Sequence, residues 1–205
     1  MAFSDFAYPD VLQTFGLSQQ SVHLFAGVAE VPASSGLRAA LAVNTTLATL
    51  GSTEAARSTW LVGPVLSELW GLYHGRVGVY CGFEFNADPD HGLNGYCDFI
   101  ISQAGQLPQI AAPVAVVVEA KRDNLENGFG QCIAGMVGSL RFNQRAKNAI
   151  ETIYGVVTTG VQWRFLQLKG SAVMFDLPEY ALFEVDRLLG ILTHILGPVP
   201  GAAAA

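Results

Sequence analysis

The chain reads as a mixed α/β protein with a central mixed β-sheet flanked by helices, and three observations predict it. Segments with helical apolar spacing alternate with short aliphatic runs in the order helix, three strands, helix, strands, helix. The run Val114 to Val118 has no polar break, as expected of a strand buried on both faces. Hydrophobic residues make up 51% of the 205, enough for a sizeable core in one domain. Within that domain, 52–168 form the expected core, 1–51 an N-terminal addition, 169–196 a C-terminal strand and helix, and 197–205 a disordered tail.

Taken in order, the first 50 residues carry the weakest signals. A short helix over Pro9–Gln20 and a strand over Ser21–Val31 are expected, followed by PASSG and the Ala- and Thr-rich LRAALAVNTTLATL, to which no element is assigned. From 52 onward STEAARSTWLVGPVLSELW offers a Ser or Thr cap, an early acid at Glu54, and apolar Trp60, Leu61, Val65, Leu66 and Leu69 at helical spacing. Gly63-Pro64 predicts a kink or a break into two shorter helices.

Three strands are then expected over 76–87, 95–103 and 113–121, the first ended by the turn-rich DPDHG and the second by AGQLPQ. A helix over Leu125–Ala149 follows. YGVVTTGVQWRFLQLKG reads as strand, tight turn and strand, AVMFDL as a third strand, and LPEYALFEVDRLLGILTHIL as a closing amphipathic helix.

Bulk properties narrow the function. Mean hydropathy of +0.35 is high for an aqueous protein, so a homo-oligomer, in the simplest case a dimer, is expected to bury part of the apolar surface. No uncharged run is continuous enough to span a bilayer, and MAFSDFAYPD lacks the basic start of a signal peptide, so no membrane association and a cytoplasmic location are expected. Cys81, Cys97 and Cys132 match no zinc or disulfide spacing and are read as reduced, mostly buried residues. The net charge of -6 argues against a generic nucleic-acid coat but leaves room for a local basic face.

Chemistry concentrates at 98, 119 and 121. Asp98 stands mid-strand in GYCDFIIS, a costly place for an acid that is neither paired nor bound to a cation. Glu119 and Lys121 end the Val-rich strand, and alternation of side chains points them the same way, with Ala120 opposed. Two carboxylates with a backbone carbonyl such as that of Ala120 suit Mg²⁺ or Mn²⁺, while a lysine orients water or stabilises growing charge. The plain alternative is a solvated strand end with Asp98 salt-bridged elsewhere.

Asp98, twenty residues, then Glu119-Ala120-Lys121 at the end of an aliphatic strand, with a preceding helix bearing an early Glu and a following one bearing Gln131, resembles the PD-(D/E)xK nuclease superfamily. The resemblance covers about Ser52 to Leu168 and implies a restriction-endonuclease-like fold with core order αβββαβ. It further implies Mg²⁺-dependent hydrolysis of DNA: Asp98 and Glu119 as metal carboxylates, Lys121 as the catalytic lysine, Gln131 beside it, and Glu54 as the acid of the first helix, with Glu68 competing for that role. Cys97 replaces the family's proline. A literal Pro89-Asp90 occurs in NADPDHG and is read as a turn. Residues 1–51 would be a family-specific helical addition or a dimerisation arm.

Arg122, Arg141 and Arg145, with Lys147, are the candidate phosphate contacts, against a plain reading as a solvated helix end. The four histidines share no ligand spacing, the glycines of GFGQCIAGMVG are read as close helix packing, and Trp60, Trp70 and Trp163 as core or interface. Two rivals to a nuclease remain: a non-cleaving binding or assembly module of the same fold, and a metal-dependent hydrolase of a small phosphate compound.

Overall fold

The computed structural model describes residues 1–51 and 53–201. Its framework is one mixed sheet of eight strands: β1 (Ser18–Val22), β2 (Gly78–Glu84), β3 (Tyr96–Ser102), β4 (Val114–Ala120), β5 (Thr152–Thr158), β6 (Gln162–Lys169), β7 (Ala172–Asp176) and the two-residue β8 (Tyr180–Ala181). The spatial order is β1-β7-β6-β5-β4-β3-β2, with β8 beside β6. The pairs β4–β5 and β1–β7 are parallel and the rest antiparallel.

Among the described residues six α-helices accompany the sheet: α1 (Asp10–Thr14), α2 (Ser35–Gly51), α3 (Glu54–Arg57), α4 (Gly63–Leu72), α5 (Glu126–Arg145) and α6 (Val185–Leu196). Parallel strands cannot be joined by a tight turn, so α5 carries the chain from the end of β4 back to the start of β5. It buries itself with the N-terminal segment against one face of the sheet, where Val117, Ile133, Met136 and Val157 meet. On the opposite face α2, α4 and α6 pack over Val116, Val118, Val156 and Phe165. Every residue of β4 is buried, as the unbroken Val run predicted.

Close approach explains the glycines of α5. A Cβ on Gly130 would lie 2.1 Å from the Phe6 carbonyl oxygen, and one on Gly135 3.0 Å from the Val117 side chain. Near the other end Asn143 grips the start of β4, its Oδ1 accepting from the Val114 N–H (2.8 Å) and its Nδ2 donating to the Val114 carbonyl (2.7 Å).

Gly63-Pro64 does not break the helix. The chain makes a π turn over Ser58–Val62, closed by the Gly63 N–H donating to the Ser58 carbonyl, and continues into α4 with Pro64 in its first turn. Pro64 has no N–H for the Trp60 carbonyl four residues back, and Asn44 of α2 supplies one instead (Nδ2 to O, 2.9 Å).

Several expectations are corrected near the termini. The expected helix over Pro9–Gln20 is only the short α1, the expected strand over Ser21–Val31 is the earlier and shorter β1, and the Ala- and Thr-rich segment is α2. Residues 180–184 form β8 and a 3₁₀ turn before α6 starts at Val185. The first helix is capped by Thr53, whose Oγ1 accepts from the Ala56 N–H (3.1 Å); Ser52, the other candidate cap, and tail residues 202–205 lie outside the described residues. Among the described residues no helix is long and apolar enough to cross a membrane.

Candidate active site

Antiparallel register brings the acids together. Phe99 lies opposite Val118, and one step further along the same pairing sets Asp98 against Glu119. The Ala120 N–H donates to Asp98 Oδ2 (2.8 Å), which fixes the Asp98 carboxylate at the end of β4. Ala120 is itself fully buried.

Glu119 is the anomaly of the sheet. It has 0% exposure, and among the described residues no N–H or O–H group donates to either carboxylate oxygen. Asp98 lies close enough to share a proton with it, and Lys121 Nζ stands 3.9 Å from Glu119 Oε2. Burial first, then the charge of Asp98, push the Glu119 carboxyl well above the usual range, while Lys121 pulls the other way. Asp176, a second fully buried carboxylate, makes the contrast plain: it accepts from the Leu24 N–H and the Tyr180 hydroxyl, each at 2.8 Å. One buried acid is satisfied by the protein and the other is not.

Lys121 follows β4, its N–H donating to the Thr158 carbonyl at 2.7 Å. Its ammonium donates to Gln131 Oε1 at 3.0 Å, so the glutamine ten positions later on α5 holds the lysine in place. Gly128 makes the room, since a Cβ there would lie 3.1 Å from Lys121 Cγ and 2.5 Å from Val157 Cγ1. Asp98, Glu119, Lys121 and Gln131 therefore form one contiguous group where β3, β4 and α5 meet.

Glu54, exposed in the first turn of α3, is near enough for its charge to act on Glu119. Glu68 is employed elsewhere: its carboxylate accepts from the Ser34 N–H (2.8 Å) and hydroxyl (2.9 Å) at the start of α2. Pro89-Asp90 sits in a 3₁₀ turn over Pro89–His91 with Asp90 exposed.

The candidate phosphate contacts divide. Arg122 is exposed beside the site and pairs with Asp123 at 3.2 Å. Arg141 and Arg145 do not form the expected free row: Arg141 pairs with Asp88 at 2.5 Å, and Arg145 donates to the Ala87 carbonyl. Both tie the 85–95 loop to the far half of α5, about 15 Å (Arg141) and about 21 Å (Arg145) along the helix axis from Gln131.

Sequence reasoning missed Arg57. Arg57 donates from Nη1 to the Thr159 carbonyl (3.0 Å), one residue beyond the carbonyl that holds Lys121, and its Nε is buried without a partner. The only signal was its position one helical turn after Glu54.

The donor set suits a hard cation. Among the described residues no group of three or more His, Cys, Asp and Glu forms a ready metal cage. The two facing carboxylates offer oxygen ligands of the kind hard divalent cations take while keeping several of their waters. No protein-family model matches the chain, and no curated protein matches it.

Proposed function

We propose that the chain is a metal-dependent deoxyribonuclease of the PD-(D/E)xK type, with a restriction-endonuclease-like core and DNA as substrate. The observation that carries this reading is the buried Glu119 carboxylate, to which no N–H or O–H group of the described residues donates, beside Asp98 and within 3.9 Å of the Lys121 ammonium. A protein gains no stability from such a group, since an unmet buried carboxylate costs free energy. Its use lies in binding something positive.

Asp98, Glu119 and the Ala120 carbonyl would hold Mg²⁺ or Mn²⁺, which when bound polarises a phosphodiester and acidifies a coordinated water. The residues of the chain do the rest. Lys121, held by Gln131, points a proton donor at the oxygens of the reacting phosphate and stabilises the charge that grows there. Glu54 and Arg57 close the side formed by α3, and Arg122 is the cation placed to meet a neighbouring phosphate.

The engagement of Arg141 and Arg145 inside the molecule favours, as a second reading, a hydrolase of a small phosphate compound, which needs no extended basic face. One assay separates the two. Purified protein is incubated with single-stranded, linear and circular DNA, and with a nitrophenyl phosphodiester, in Mg²⁺, Mn²⁺ or chelator. Metal-dependent cleavage of DNA that disappears in Lys121→Ala supports the nuclease; cleavage of the small ester alone supports the second reading; cleavage of neither, with no heat of metal binding, refutes both.

A further inference from the structure

Beside the carboxylate group, on the sheet face opposite α5, a groove of about 490 Å³ runs between the π turn, α4 and the β2–β3 hairpin. It is lined by Ser58, Thr59, Trp70, Cys81, Phe99 and Gln106, among others. Two features join it to the site. Ser58 is one helical turn beyond Glu54 and shares its side of the helix. Phe99 adjoins Asp98 in β3 and pairs with Cys81, whose thiol is pushed up by burial and by the Asp98 charge. The groove and the Lys121–Gln131 pair therefore lie on opposite faces of the sheet, with Cys81 near enough to Asp98 to feel its charge.

Its chemistry is specific. Among the described residues no charged side chain lines it. What it offers is the indole of Trp70, 40% exposed, with hydroxyls at Ser58 and Thr59 and the amide of Gln106. The Gln106 carbonyl oxygen is taken by the Val79 N–H at 2.9 Å, which turns its NH₂ into the remaining donor. The volume is that of a small-molecule pocket, with apolar walls and a few placed polar groups. A phosphate backbone would find no cation here, and an intact duplex keeps its bases stacked inside. An unpaired base supplies both an aromatic face for Trp70 and acceptor edges for the hydroxyl and amide donors.

We infer that this groove receives an unpaired nucleobase flanking the phosphate to be cut, so that the enzyme acts on single-stranded or frayed DNA in preference to closed duplex. The inference rests on the nuclease reading above. It also accounts for the acidic chain: stacking and neutral hydrogen bonds take over from the row of basic residues that duplex binding needs.

The test is fluorescence anisotropy with labelled oligo-dT and with a labelled blunt duplex, in Ca²⁺ to prevent cleavage, on the wild type, Trp70→Ala, Trp70→Phe and Thr59→Glu, each checked for folding by circular dichroism. The wild type should favour oligo-dT. Trp70→Ala should weaken oligo-dT binding by about 5- to 140-fold, the worth of one stacked base, and leave duplex binding unchanged. Trp70→Phe should retain most of the affinity. Thr59→Glu, at an exposed position that tolerates substitution, should lower oligo-dT binding more than duplex binding. Equal binding of the two DNAs, or equal losses on both in the variants, overturns the inference. Cleavage of the same DNAs in Mg²⁺ keeps the two claims apart: duplex cut as readily as single strand by the wild type and by Trp70→Ala refutes the groove and leaves the nuclease standing, whereas no cleavage and no binding refutes both.

Discussion

Replacing Glu119 with Gln should make the metal-free protein more stable while abolishing its activity. Glu119 has 0% exposure and no N–H or O–H donor among the described residues, and its carboxyl is held well above the ordinary value of 4.5 by burial and by Asp98. The folded state therefore retains a proton that the unfolded state releases. For a group raised in this way the stabilisation is complete below pH 4.5 and is lost as pH rises toward the folded value. Each pH unit over which the folded carboxyl keeps its proton beyond the unfolded value is linked to about 1.4 kcal/mol. Gln keeps the shape without titrating, so the expected gain at pH 7 is about 1–3 kcal/mol, or roughly 2–12 °C in Tm for a chain of this length. Differential scanning calorimetry from pH 4.5 to pH 8 measures it, and the gain should shrink toward zero at the acid end. Mg²⁺ should raise the Tm of the wild type and leave Glu119→Gln unmoved, because only a state that binds the ion is stabilised by it. A variant less stable than the wild type at pH 7, or a gain that does not vary with pH, would show that Glu119 is satisfied in solution and would remove the main support for a cation site.

Three further substitutions test the surrounding structure. Gln131→Ala frees the Lys121 ammonium from its 3.0 Å hydrogen bond and should cut kcat about tenfold with KM little changed, which steady-state kinetics resolves. Gly128→Ala drives a Cβ to within 2.5 Å of Val157 and 3.1 Å of the Lys121 side chain; denaturant melts should show a loss of about 1–3 kcal/mol, together with reduced activity. Asn143→Leu leaves the buried N–H and carbonyl of Val114 without partners and should cost about 2–5 kcal/mol, with hydrogen exchange at the start of β4 rising accordingly.

What could be read in the sequence was what local rules control. The unbroken Val run placed β4, alternation set Glu119 and Lys121 on one side, and the ten-residue interval to Gln131 spans the loop and the first turns of α5, so the lysine and the glutamine meet. The glycines of α5 were legible as close packing, and each measured approach, to Phe6, Val117 or Lys121, bears that out. The N-terminal region was opaque because its elements are set by distant partners. β1 exists through its parallel pairing with β7, and α2 through burial of Leu37, Leu41 and Ala48 together with the cap that Glu68 completes at Ser34. The pairing of Arg141 was hidden for the same reason. Charge and helical spacing make it look like a phosphate contact, but whether a cation is free depends on whether an acid reaches it from elsewhere, and Asp88 arrives from a loop 53 positions earlier. Glu119 shows the converse: no acid in the sequence is marked as buried, and only the folded chain reveals a carboxylate that no N–H of the described residues reaches, beside Asp98 and 3.9 Å from Lys121.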